Sequence, residues 1–129
     1  MANPESCRFA KTHEWVALDG SSAVVGISDH AQKEITDVVF VELPKAGRTV
    51  KQGESCAVVE SVKAAFDIYA PVSGEIVEVN PSVVSEPALV NQSPYDKGWF
   101  MKIKPAEPKE ADGLMTHGQY QEFVKAGAH

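Results

Sequence analysis

Between Gly53 and Gly74 the sequence GESCAVVESVKAAFDIYAPVSG has a turn at each end and a single lysine, Lys63, near its middle. Lys63 stands ten residues after Gly53 and eleven before Gly74. On one side ESCAVVE is an apolar run. On the other, Phe66, Ile68 and Ala70 alternate with Asp67 and Tyr69, the period of a half-buried strand. Two strands that meet at one lysine make a ribbon with Lys63 at its far end, its backbone fixed by the sheet and its side chain in solvent. A lysine in a turn is ordinarily just a solvated charge. The neighbours Val62, Ala64 and Ala65 argue for more, because a plain tight turn favours Asn-Gly or Asp-Gly. A small apolar tip that faces water has a reason if another molecule recognises it. This is how a chain would offer one lysine to a modifying enzyme, and afterwards to several active sites.

The rest of the chain is also built from short strands. In WVALDGSSAVVGI, apolar residues flank Asp19-Gly20, a pair suited to positive φ, which predicts a hairpin. SDHAQKEI follows. Asp29 is the expected N-cap, with Gln32 three residues on, and a short helix is predicted from about His30 to Ile35. VVFVEL, Val38 to Leu43, is nearly all apolar and rich in β-branched residues, so a strand buried on both faces is expected. EIVEVN predicts another strand and GWFMKIK a last one, with Trp99, Met101 and Ile103 on one face. In the tail Thr116 and Gln119 form a second capping box, and Tyr120, Phe123 and Val124 share one stripe. Gly113 breaks any single long helix there, so two short ones are expected. The predicted fold is mostly β: a sandwich or flattened barrel of two antiparallel sheets, with short helices after the first hairpin and at the C-terminus. The 129 residues fit a single domain, with a core over about 8–105 and a helical segment over about 106–126.

Charge and composition remove several functions. Eighteen acidic side chains against twelve basic ones give a net charge of −6, which argues against a nucleic-acid partner. No apolar run approaches the roughly 18 residues that a membrane helix needs. MANPESCRFAK lacks both the apolar centre of a secretion signal and the Arg/Ser bias of a transit peptide. Cys7 and Cys56 belong to no CxxC pair and are expected as reduced thiols, Cys56 buried in a strand. His13, His30, His117 and His129 show no ligand spacing, so no metal is expected. GESCA comes close to G-x-S-x-G, but its fifth residue is Ala57, and a nucleophile elbow needs a strand-to-helix turn in a larger α/β sheet.

VVESVKAAFDIYAPVSGEIVEVN resembles the lipoyl-attachment region of the glycine cleavage system H-protein family. AKTHEWV, VGISDHAQKEITDVVFVELPKAG and LVNQSPYDKGWFMKIKP resemble the family's flanking segments, in family order and over nearly the whole chain. The resemblance implies a lipoyl/biotinyl-domain-like β-sandwich with lipoate in amide linkage on Lys63. It implies a non-catalytic carrier that works as a monomer. Its partners would be a pyridoxal-phosphate glycine decarboxylase, a folate-dependent aminomethyltransferase and a dihydrolipoyl dehydrogenase. A lipoyl or octanoyl transferase or ligase would modify the lysine. The compartment would be the cytoplasm in a bacterium, or the mitochondrial matrix for a processed eukaryotic chain. A biotinyl carrier domain would be expected to place Met on both sides of the lysine, where this chain has Val62 and Ala64. The lipoyl domain of a 2-oxoacid dehydrogenase would usually have Asp before the lysine, and a much longer chain. The residues do not separate a glycine-cleavage shuttle from a lipoyl donor in lipoate assembly.

A lipoyl-lysine arm spans about twelve bonds, or roughly 15 Å. Tethering raises its concentration at each docked site. Its aminomethyl cargo is fragile in water and its amine carries a proton, so a cleft with a facing carboxylate would protect it. A charged hydrogen bond of that kind contributes about 1.5–3 kcal/mol. Two carboxylates qualify: Asp67, four residues past Lys63, and Glu14, beside Trp15 in THEW. The bland alternative is that both are solvated strand charges. The family resemblance implies docking of the loaded arm near Glu14 and Asp67, with a hydroxyl at Thr12.

Overall fold

The computed structural model describes residues 3–127; His129 lies outside them. Along the chain run β1 (Arg8–Phe9), β2 (Glu14–Asp19), β3 (Ser22–Ile27), α1 (Asp29–Ile35), β4 (Val38–Glu42), β5 (Thr49–Val50), β6 (Ser55–Ser61) and β7 (Ala65–Tyr69). There follow β8 (Gly74–Val79), α2 (Ser82–Ser85), α3 (Leu89–Gln92), β9 (Met101–Pro105), α4 (Lys109–Asp112), β10 (Met115–Thr116) and α5 (His117–Lys125). One sheet has the order β10-β1-β2-β3-β9-β8-β5 and the other β4-β6-β7, with antiparallel pairing throughout. The expected hairpin is present: Asp19 pairs with Ser22, and Gly20 takes a φ of 63°.

The main core lies between the sheets. Val25, Val59, Ile76 and Ile103 are fully buried there, each contributing roughly 1.5–3 kcal/mol. A second, smaller core gathers Cys7, Phe9, Trp15 and Tyr120. The Tyr120 ring stacks on Phe9 at 4.4 Å, and this contact docks α5 onto β1. Trp15 pairs across the strands with Gly26, where any Cβ would meet the indole ring at 2.6 Å. The capping box of Thr116 and Gln119 starts α5 as expected. Gly113 ends α4, so the tail does form two short helices.

Four details differ from the sequence reading. The N-cap of α1 is Ser28, whose Oγ accepts from the Ala31 N–H at 3.1 Å; Asp29 is the first helical residue, and its carboxylate accepts from Gln32. Ser28 wins because it has the extended backbone that a cap requires. β4 is not buried on both faces: Val39 is 56% and Phe40 47% exposed. The register shift between Val38 and Phe40 turns both Val39 and Phe40 away from the core, into which Val38 and Val41 pack. Trp99 precedes β9 and packs with the second core, while Met101 and Ile103 face the main one. Helices α2 and α3 lie outside the elements expected above; neither N-cap residue makes a side-chain cap bond, and their start signals are Pro81 with Asn80, whose Oδ1 accepts from the Ser82 N–H at 3.2 Å, and Pro87.

Candidate functional site

β6 and β7 pair with Glu60 opposite Ala65, and Val62, Lys63 and Ala64 form the turn between them. Ser61 organises this turn. Its N–H donates to the Ala64 carbonyl at 2.9 Å, and its Oγ accepts from the N–H groups of Lys63 at 3.1 Å and Ala64 at 3.3 Å. The Val62 N–H donates to the Asp37 carbonyl at 3.0 Å, just before β4. Every backbone N–H from Ser61 to Ala64 therefore has a partner, and the turn is held rigid. The side chains point outward: Val62 is 68% exposed, and Lys63 is exposed with its Nζ donating to the Glu34 carbonyl at 3.3 Å. At the base of the ribbon Gly74 takes a φ of 155°, and a Cβ there would collide with the Lys104 carbonyl.

From Lys63 a groove of about 430 Å³ runs into the molecule, and Thr12, Glu14 and Asp67 line it as well. The fold thus brings all four sequence candidates to one cavity. Their environments differ. Glu14, the first residue of β2, is 1% exposed, so it is not a solvated strand charge. One carboxylate oxygen accepts from the Thr12 hydroxyl, and the other accepts from the Tyr69 N–H at 2.9 Å. Burial pushes the Glu14 carboxyl up from its ordinary 4.5 to about 6, against the opposing pull of those donors. Among the described residues none of the ion pairs includes Glu14. Near neutral pH the groove therefore holds a desolvated carboxylate that no described residue pairs as an ion. Asp67, in contrast, is exposed and accepts from the Ser55 hydroxyl at 3.1 Å. Thr12 is exposed too, at the groove's edge.

The walls of the groove between Lys63 and Glu14 are apolar, from Ile27, Ala31, Ile35, Phe66 and Ile68. An open strand edge borders it. Ala70 gives both its N–H and C=O to the β6 side, at Glu54 and Gly53, so by alternation the Tyr69 N–H points the other way and meets Glu14. Sequence reasoning passed over Ser61, the Tyr69 N–H and the Glu34 carbonyl. Ser61 carried a signal, since a Ser before a turn bonds the backbone N–H groups that follow. The other two are main-chain groups, and no residue type marks them. Gly53 to Ala57 passes from a turn into β6, the reverse of a strand-to-helix elbow.

The family model for the glycine cleavage H-protein matches residues 7–127. This chain belongs to the glycine cleavage H-protein family. A glycine cleavage system H protein from Phenylobacterium zucineum is 56% identical over 117 residues, covering 91% of this chain and 97% of that one. One from Thermus thermophilus is 51% identical over 128 residues, covering 99% and 100%. The crystal structure of a glycine cleavage system H protein from Mycobacterium marinum superposes with a TM-score of 0.83 at 36% identity, covering 97% of this chain and 99% of that one. The two-sheet architecture is thus the fold of this H-protein family.

Proposed function

We propose that Lys63 carries a lipoyl group in amide linkage, and that the chain shuttles an aminomethyl unit within a glycine cleavage system. One observation carries the reading: the exposed Lys63 and the buried Glu14, which is in no ion pair among the described residues, line the same groove. The residues present fit such an arm. Ile27, Ala31, Ile35, Phe66 and Ile68 suit a methylene chain, and Glu14 suits a charged amine at its end. When bound, the group's cyclic disulfide supplies thiol–disulfide chemistry that takes up and later releases the aminomethyl unit.

The chain's own residues do the rest. The Ser61 turn presents Lys63 to one enzyme after another without rearranging. An acylated Nζ keeps one N–H, and the Glu34 carbonyl is placed to accept it. The apolar walls keep water from the cargo. Glu14 would accept from the ammonium, the Thr12 hydroxyl and the Tyr69 N–H hold the carboxylate for that task, and Asp67 would add negative potential at the groove's border. No group here needs to catalyse a step. The partners are a pyridoxal-phosphate decarboxylase, a folate-dependent aminomethyltransferase, a dihydrolipoyl dehydrogenase, and a lipoyl or octanoyl transferase or ligase. The test is glycine decarboxylation in a reconstituted system. Lys63→Arg keeps the fold, because the tip lies outside the core, and gives no carbon dioxide. The parent without partner enzymes gives none either. Full activity of the variant would overturn the proposal.

A further inference from the structure

Helix α1 forms one wall of the groove. Ala31 and Ile35 line it, and the Glu34 carbonyl meets Lys63 at its mouth. The helix is seven residues long and buries only Ile35. A helix this short is unstable on its own in water, and one buried apolar side chain is a thin anchor. Its position depends on polar latches at both ends. At the C-terminal end Asn91 donates to the Thr36 carbonyl at 2.8 Å and to Gln32 Oε1 at 3.1 Å, and it accepts from the Val38 N–H at 2.9 Å. At the N-terminal end the Asp29 N–H donates to the Tyr95 hydroxyl at 3.1 Å. There too the Tyr120 hydroxyl lies 2.6 Å from Ser28 Oγ and 2.7 Å from His13 Nδ1.

Tyr120 belongs to α5 and lines a separate cavity, not the groove. His13 does line the groove, beside Glu14, and it has a φ of 80°. Positive φ in a residue other than glycine persists when its surroundings over-determine it. The main chain already joins these two places, since the Ser28 N–H donates to the His13 carbonyl at 2.9 Å, and the Tyr120 hydroxyl adds a side-chain latch across the same junction, between the two elements that bring Ala31 and Glu14 into the groove. We infer that Tyr120 is a positioning residue for the arm: its hydroxyl, through Ser28 and His13, sets the spacing of the groove in which the loaded end is held.

The arm's part in this rests on the carrier reading above, and the first readout does not. Tyr120→Phe keeps the ring stacked on Phe9 and removes only the hydroxyl. In unmodified protein, amide hydrogen exchange at Ala31 and Gln32 speeds roughly two- to tenfold, the factor that one net hydrogen bond supplies. Exchange at Val59 and Ile76 in the core stays the same. In lipoylated, aminomethyl-loaded protein without the folate enzyme, formaldehyde release rises by a similar factor. Val124→Ala, which loosens α5 in the second core without touching the hydroxyl, leaves α1 exchange at the parent rate. Unchanged α1 exchange, uniform acceleration of all amides, or an equal effect from Val124→Ala would overturn the latch. Faster α1 exchange with unchanged formaldehyde release would overturn its role toward the arm. A parent protein never lipoylated at Lys63 would overturn the carrier reading and that role together, and the exchange data would still judge the latch.

Discussion

Glu14→Gln isolates the electrostatics of the groove. Glutamine keeps the shape and one acceptor oxygen, but it cannot ionise. In the folded parent, burial holds the Glu14 carboxyl at about 6, against 4.5 for an exposed one, a gap equivalent to about 2 kcal/mol. The raised value means that the folded state binds its proton more tightly than the unfolded state does. Stability from this group is therefore fully present below about pH 4.5, and it is lost as the pH rises through about 6. The variant has no such loss. Groups common to both proteins cancel in the difference. Urea unfolding, two-state for a domain of this size, is measured from pH 4 to 8. The stability difference between variant and parent should move in the variant's favour by about 2 kcal/mol between pH 4 and 7.5. A flat difference, or one that moves in the parent's favour, would refute the account of Glu14 as a desolvated anion.

The function of the same carboxylate is tested by formaldehyde release from loaded protein without the folate enzyme. Glu14→Ala releases it faster than the parent, while lipoylation at Lys63 stays intact. Asp67→Ala shows a smaller effect of the same sign, because Asp67 is exposed and screened; equal rates in all three proteins would mean that neither carboxylate guards the arm. Ser61→Ala removes the acceptor for the Lys63 and Ala64 N–H groups and costs about 1 kcal/mol. It should speed exchange of the turn amides and slow enzymatic acylation of Lys63. Acylation at the parent rate would mean that turn rigidity is not what the modifying enzyme reads.

The sequence disclosed most where side-chain chemistry repeats with the geometry of a strand or a cap. The alternation of Phe66, Ile68 and Ala70, the Asp19-Gly20 hairpin and the Thr116 capping box all appear as expected. Reading failed where tertiary context decides. VVFVEL has the composition of a strand buried on both faces, but only Val38 and Val41 pack into the core, and so uniform an apolar run carries no alternation to show which residues turn outward. Asp29 and Ser28 are both good caps, and backbone geometry chooses between them. For the site, Lys63 stood out through the symmetry around it, and Glu14 and Thr12 were marked only by resemblance and by nearness to Trp15. What makes Glu14 distinctive, its burial and its bond to the Tyr69 N–H, arises from packing β2 of one sheet against the open edge of β7 in the other. That contact spans 55 positions in the chain, and no local pattern encodes it.

Peptide mapping of the protein, purified from cells with an active lipoylation pathway, tests the central claim most directly. The chain contains ten lysines. Mass spectrometry should find a lipoyl or octanoyl adduct on Lys63 and on none of the other nine. An unmodified Lys63, or an adduct on another lysine, would contradict the account.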